Sequence, residues 1–459
     1  MRRNLLLNGL RDAYASARSA LIVRILVIVN VFPPLHAGTF DFRCESVCNL
    51  LQKRGHEIHV LTSKYGMNQE QRDPYIERRL MLNGQFEAPL VESYGDLKEI
   101  EAHNNAVVRE VIANYLPEMI YVWSLQGLSK SIIFTLRNTK IPTVYDVADD
   151  WLSDGIKQDP WLRWWCCDKP GFGGGLMRTS LEASGQRDKI SETIPTRMMK
   201  GYERVPELWG KAAATVQPGS INAFHFDRLY FCSQALKQEA EQAGFRIGHA
   251  EVIYPGIPTE KFFAEPKPLA DTPKKFLVVS RLSPQSGVMT VLQALKLARD
   301  HEVRASLSVY GRGQSEQMAQ LRSFVIQQSL PVEFLTMSNQ QKDLAAVYRQ
   351  HDGFIYCAEW DEPFALTPLE AMASGIPVIA AKSGGVRELL RAGENGWVYK
   401  PGEPLELASR IQEVQMQPAL RSQILENAQQ EVMMRYSESS MLDQIENYLM
   451  QTIELWQNT

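Results

Sequence analysis

The stretch Glu362-Pro363-Phe364-Ala365-Leu366-Thr367-Pro368-Leu369-Glu370-Ala371-Met372-Ala373-Ser374-Gly375-Ile376-Pro377-Val378-Ile379-Ala380 sets two glutamates eight positions apart. They stand at the mouth of a short predicted helix that feeds a buried strand. The start of a helix offers unpaired backbone N–H groups and a partial positive charge, which suit a phosphate. A carboxylate just before that start and another inside the helix can accept hydrogen bonds from hydroxyls on either side of the phosphate. A diphosphate between two polyhydroxylated rings, a nucleotide-sugar, fits the arrangement. For Glu370 a second reading exists: Thr367-Pro368-Leu369-Glu370 has the form of a capping box with proline at the first helical position.

Around this stretch the pattern strand, loop, helix repeats. Short β-branched runs alternate with helical segments, which predicts an α/β chain with two parallel-sheet layers. In the N-terminal half, strands are expected at 24–30, 57–63, 119–123, 143–147, 229–233 and 251–254, and helices at 38–54, 98–115, 127–136 and 234–243. In the C-terminal half, strands are expected at 276–280, 305–310, 332–335, 353–357, 377–381 and 397–399. Helices there fit 287–299, 314–328, 341–350, 368–374 and 405–414. The Pro/Lys-rich segment near Lys261–Lys275 reads as a linker.

The 459 residues allow two or three domains, and a composition of 44% hydrophobic and 22% charged residues is that of an ordinary globular protein. A net charge of −4 gives no basic excess for nucleic acid. The six cysteines form no Cys-x-x-Cys pair and have no histidine at zinc-finger spacing, so free thiols in a reducing cytosol are expected. The apolar run at 21–31 contains Arg24 and is too short to span a bilayer. Before it, Arg2, Arg3, Arg11 and Arg18 face one acid, Asp12. Residues 1–20 are read as an N-terminal extension: either a frayed terminus or a basic amphipathic helix resting on the inner face of a membrane.

Other segments carry chemistry. Ser280-Arg281-Leu282-Ser283-Pro284 ends a strand with a guanidinium, suited to a leaving diphosphate. Tyr310-Gly311-Arg312-Gly313 is a strand-to-helix turn that lacks the third glycine of a dinucleotide fingerprint, and it reads as lining a nucleotide site. Gly38, in Phe32-Pro33-Pro34-Leu35-His36-Ala37-Gly38, permits close backbone approach to a phosphate. Tyr145-Asp146-Val147-Ala148-Asp149-Asp150-Trp151 ends a strand, where open parallel sheets bind ligands. Asp146, Asp149 and Asp150 are read either as an acceptor pocket for hydroxyls or as turn and cap residues. No Asp-x-Asp pair occurs to hold a divalent ion on a diphosphate.

These segments together resemble family 4 glycosyltransferases, retaining enzymes of the GT-B architecture. The likeness rests on the glutamate pair, Gly384-Gly385-Val386-Arg387-Glu388-Leu389, Asn395-Gly396, the Arg281 segment, Tyr254-Pro255-Gly256-Ile257-Pro258 and the Gly38 loop, and it covers roughly residues 24–63 and 229–412. It implies two Rossmann-like domains facing across a cleft: residues 21–262 on the acceptor side, 263–436 binding the nucleotide-sugar, and a helix over 437–459 crossing back to the first domain.

It further implies a metal-independent, hexosyltransferase-type enzyme without cofactor, working in glycan, glycolipid or glycoconjugate synthesis. Glu362 and Arg281 would be catalytic. Gly38, Arg281, Ser286, Gly311, Glu362, Phe364, Ala365, Leu366, Thr367 and Glu370 would hold the donor, the amides of 364–367 facing the diphosphate. The chain departs from the family at Ser286, where a lysine is usual, at Ala365, where glycine is common, and near Asp146, where a histidine is frequent. Ser286 leaves open a non-catalytic sugar-nucleotide-binding or scaffold homologue; Arg312 is a candidate to replace the missing cation. Around 149–228, Trp151, Trp161, Trp164, Trp165 and Trp209 mark an insertion, read as a satellite core or as an acceptor-side wall.

Overall fold

The computed structural model describes residues 22–34, 39–65, 73–84, 88–91, 94–153, 155, 159, 176, 226–245, 247, 249–267, 272–311, 313, 315–335 and 343–458. Gly38, His36, Arg312, residues 1–20 and nearly all of the tryptophan-rich segment lie outside them. The chain divides into two compact units. The first comprises the described residues up to Tyr230, with Glu239–Glu251 and the chain from Glu446 onward; the second comprises Phe231–Gln238 and Val252–Ile445.

The first unit runs β1 (Arg24–Val29), α1 (Thr39–Lys53), β2 (Glu57–Ser63), β3 (Ile76–Leu80), α2 (Tyr94–Tyr115), β4 (Met119–Ser124), α3 (Ile132–Arg137) and β5 (Thr143–Val147). Three further elements are shared with the second unit: β6 (Arg228–Phe231) as far as Tyr230, α4 (Gln234–Gln242) from Glu239, and β7 (Glu251–Val252) at Glu251 belong to the first. Its seven-stranded sheet has the order β3-β2-β1-β4-β5-β6-β7. β1 is parallel to both β2 and β4, which makes it the point where the strand order reverses. β3 was not expected from the sequence. It carries Glu77, Arg78 and Arg79 and lies at the sheet edge, where charged side chains are usual and hydrophobic alternation is lost.

The second unit runs α5 (Thr259–Phe262), β8 (Lys275–Val279), α6 (Val288–Asp300), β9 (Ser306–Tyr310), α7 (Ser315–Gln327), β10 (Val332–Leu335), α8 (Leu344–Arg349), β11 (Gly353–Tyr356), α9 (Thr367–Ala373), β12 (Val378–Ala381), α10 (Val386–Leu389), β13 (Trp397–Tyr399), α11 (Pro404–Met416) and α12 (Pro418–Arg435). α13 (Glu438–Gln457) belongs to this unit as far as Ile445 and to the first unit beyond it. The six-stranded sheet has the order β10-β9-β8-β11-β12-β13 and every pairing in it is parallel.

Both faces of this sheet are buried, as a covered parallel sheet requires. Leu277, Phe354, Tyr356, Val378 and Ala380 point to one core with Tyr348, Leu369, Met372, Ala428 and Val432. Their strand neighbours Phe276, Val278, Ile355, Cys357, Ile379 and Ala381 point to the other, with Val291, Leu292, Leu295, Leu407 and Ile411. The period of two along each strand therefore sorts side chains between two helical layers. Among the described residues no helix is long and apolar enough to cross a membrane.

Candidate functional site

The reversal of strand order in the second unit falls between β8 and β11, and sites in open α/β sheets form at the carboxyl ends of strands there. The turn after β8 holds Ser280, Arg281 and Ser286; the loop after β11 holds Glu362 and leads into α9. The turns after β9 and β12 pack against these two. A Cβ on Gly311 would lie 1.9 Å from the Ser280 carbonyl oxygen, so only glycine allows this approach. At Gly384, φ is +46° and a Cβ would lie 2.2 Å from the Glu362 carbonyl oxygen. The Gly384-Gly385 turn is thus a backbone platform under the Glu362 loop.

That loop is pinned at several points. The Gly385 amide donates to the Glu362 carbonyl at 2.9 Å, and the Gly384 amide donates to the Asp361 carboxylate at 2.6 Å. Arg387 also donates to Asp361, at 2.9 Å. Asp361 is therefore a structural carboxylate. Beyond it, the Tyr356 hydroxyl donates to Glu362 Oε2 at 2.6 Å. Burial raises the proton affinity of Glu362, while the Tyr356 hydrogen bond and the charge of Arg281 lower it. Arg281 itself is exposed and has no ion pair among the described residues. The amides of Phe364, Ala365, Leu366 and Thr367 donate to no described group. Phe364 rests in an aromatic cluster, its ring centroid 5.7 Å from that of Tyr254 and 6.2 Å from that of Tyr436.

Glu370 is 8% exposed and accepts from the Tyr348 hydroxyl at 2.8 Å. Burial pushes its pKa up to about 7, against the Tyr348 hydrogen bond and the charge of Lys261. The capping box does not form: α9 begins at Thr367, its cap position is Leu366, and no side chain caps it. Glu370 is thereby free of a helix-capping duty. Ser286, expected beside the diphosphate, is 3% exposed within the short turn Pro284–Ser286, where its carbonyl accepts the Cys357 thiol at 3.0 Å.

The three aspartates of the first unit have separate fates. Asp146 is fully buried and accepts from Arg43 and, at 2.7 Å, from the Tyr230 hydroxyl; Arg43 also stacks 4.8 Å over the Trp123 ring. Among the described residues Asp146 is thus enclosed and engaged, the environment of a structural carboxylate. Because β5 is buried on both faces, alternation along it gives no direction. Asp149 accepts from the Trp151 amide at 2.9 Å and the Ser124 hydroxyl at 2.8 Å, as a turn aspartate does. Burial raises it to about pH 7. Asp150 is exposed and takes a 3.4 Å contact from Gln126.

Sequence reasoning did not find Tyr356 and Tyr348, the partners of the two glutamates, or the platform role of Gly384. A tyrosine at the carboxyl end of a buried strand was the available signal for Tyr356. The described residues contain no group of three His, Cys, Asp or Glu able to hold a metal ion.

At a switch point of an open α/β sheet, the second unit thus brings together a cation, a row of amides that donate to no described group, and two tyrosine-held carboxylates. Residues 259–431 match the family model of glycosyl transferases group 1. An uncharacterized glycosyltransferase of Methanocaldococcus jannaschii is 31% identical over 169 residues, 36% of this chain and 42% of that protein. Spore coat protein SA of Bacillus subtilis is 30% identical over 148 residues, 31% of this chain and 39% of that protein. Glycogen synthase of Mycobacterium tuberculosis is 26% identical over 221 residues. The chain spans 42%, 39% and 51% of the lengths of these three relatives.

Among solved structures, a glycosyltransferase from Rickettsia africae superposes with a TM-score of 0.65 at 15% identity, covering 94% of this chain and 99% of that one. Anabaena HepE in complex with UDP gives 0.63 at 19%, covering 93% and 100%. These likenesses define the fold: two parallel-sheet α/β units of the GT-B type.

Proposed function

We propose that this chain is a retaining family 4 glycosyltransferase that moves a hexose from a nucleotide-diphosphate sugar to an acceptor hydroxyl. The observation that carries the reading is the set at the β8–β11 switch point. There, Glu362 has one oxygen held by Tyr356 and the other free, the amides of 364–367 are unpaired, Glu370 is not used as a cap, and the Arg281 guanidinium is exposed. Donors of hydrogen bonds face an anion; acceptors stand on either side of it for hydroxyls.

In this reading Glu362 accepts from the donor sugar, Glu370 from the ribose, and the amides and Arg281 hold the diphosphate. Arg281 stabilises the charge that grows on the leaving diphosphate, more in the transition state than in the bound donor. No metal is required, so turnover survives EDTA. Asp149 and Asp150 remain the acceptor-side candidates. A cytoplasmic setting fits the free, buried Cys44, Cys48, Cys232 and Cys357.

The test is release of nucleoside diphosphate from a panel of UDP-, GDP- and ADP-sugars, with the anomeric configuration of any product read by NMR. UDP-glucose comes first because the structurally similar HepE has been solved with it. Turnover of one donor with retained configuration supports the reading, and inversion removes its retaining part. Saturable binding without turnover favours the second reading, a sugar-nucleotide-binding homologue, which the buried Ser286 in place of a lysine supports.

A further inference from the structure

The Tyr356 hydroxyl has a choice of partners that its position makes informative. It ends β11 with its ring in the sheet core, opposite Ala380 of β12, and is 5% exposed. A buried tyrosine needs a partner for its hydroxyl. Here the partner is the carboxylate of Glu362, in the loop that follows the strand, at 2.6 Å. Only Oε2 is taken; Oε1 of Glu362 accepts from no described residue. Ser383 stands beside the tyrosine and donates its own hydroxyl to the Ala358 carbonyl at 2.8 Å.

We propose that Tyr356 is a positioning residue: its hydroxyl fixes the orientation of the Glu362 carboxylate, so that Oε1 is presented to the donor. The inference rests on the reading of Glu362 as a donor-binding group. The charged groups around Glu362 are few. Arg281 comes from the turn after β8, Glu359 and Asp361 from its own loop, and Arg387 from α10, where it is bound to Asp361. Glu359 is engaged by the Thr290 hydroxyl at 2.5 Å. Tyr356 and Arg281 are therefore the groups that oppose the effect of burial on Glu362. A charge-assisted hydrogen bond from a fixed, partly desolvated donor is stronger than one between neutral groups.

Tyr356→Phe keeps the ring and removes the donor, so the fold is retained. Two measurements on the full chain decide the matter. The first needs no donor: melting temperature against pH for the wild type, Tyr356→Phe, Glu362→Gln and the double variant. The hydrogen bond exists in full above the proton affinity of Glu362 and fades as pH falls and the carboxylate is protonated. The deficit of Tyr356→Phe should therefore shrink at low pH, and should be flat with pH when Glu362→Gln is also present. Equal, pH-independent deficits in both backgrounds would overturn the proposal.

The second measurement is release of nucleoside diphosphate at saturating concentration of whichever donor the panel shows to turn over. The acid limb of kcat should move upward in Tyr356→Phe, with little change in KM at high pH. A uniform loss at every pH would mark a merely structural residue. Should Glu362→Gln itself turn over normally while the stability coupling persists, the donor role of Glu362 fails and the tyrosine–carboxylate pairing stands.

Discussion

Glu362 and Glu370 sit in one string, yet the structure gives them unlike environments and so unlike tests. Glu362 keeps one free oxygen at the end of a pinned loop. Glu362→Gln retains size and the Tyr356 contact but removes the charge, and should lower kcat by roughly a hundredfold or more. Near-normal turnover in a folded variant would take Glu362 out of the site. Glu370 is buried and raised to about 7, so in the free protein it gains a proton near neutrality. If Glu370 takes the ribose as proposed, the hydroxyls donate to the anion, so nucleoside diphosphate binding should weaken as pH falls from 8 to 6 and should release protons near pH 7. Calorimetry in buffers of different ionisation enthalpy measures this. By linkage, a raised carboxylate favours the folded chain below its unfolded value of about 4.3, and that contribution is lost as pH rises through about 7.

The spacing of these glutamates was legible because it follows from a local helix start. Their tyrosine partners were not, because Tyr356 and Tyr348 reach them through strand pleat and helix packing that spacing does not encode. Asp146, Asp149 and Asp150 show the same limit: adjacent aspartates in one motif became a buried ion-pair member, a turn residue and an exposed residue.

At the scale of elements, strands that alternate between two buried faces were readable almost residue by residue; β2, β5, β10 and β13 have the expected bounds. Elements without that signal were missed. β3 is charged, and α12 hides its core positions among glutamines, with Arg421, Ile424, Leu425, Ala428 and Val432 buried at three- and four-residue steps. Turns between elements carry the site, and one of them gives a sharp test. Gly384→Ala would put a Cβ 2.2 Å from the Glu362 carbonyl at a φ of +46°. The strain is on the order of 1–3 kcal/mol, and the Glu362 loop must shift to relieve it. Donor affinity should fall together with melting temperature. A variant that loses stability but binds the donor as tightly as the wild type would mean that the platform does not set the position of Glu362.

At the scale of the chain, the two units can be challenged separately, since every donor-site residue proposed here within the described chain lies in the second one. The chain from Glu446 onward belongs to the first unit and is tied there by specific groups. Glu446 accepts from Arg54 and lies 3.1 Å from His56 Nε2; the Tyr448 hydroxyl donates to the Leu229 carbonyl at 2.7 Å; Arg228 stacks 4.2 Å over the Tyr448 ring. Tyr448 and Leu449 are almost fully buried. Ending the chain after Ile445 removes these contacts and uncovers β6. Breaking one large buried aromatic anchor alone costs about 3–5 kcal/mol, comparable with the whole stability of a small domain. The truncated protein should therefore lose the cooperative melting of its first unit while the second still melts with a rise in temperature given by the nucleoside diphosphate that stabilises the full chain. If that nucleoside diphosphate no longer shifts any transition, the donor site depends on the first unit, and its assignment to the second unit alone is wrong.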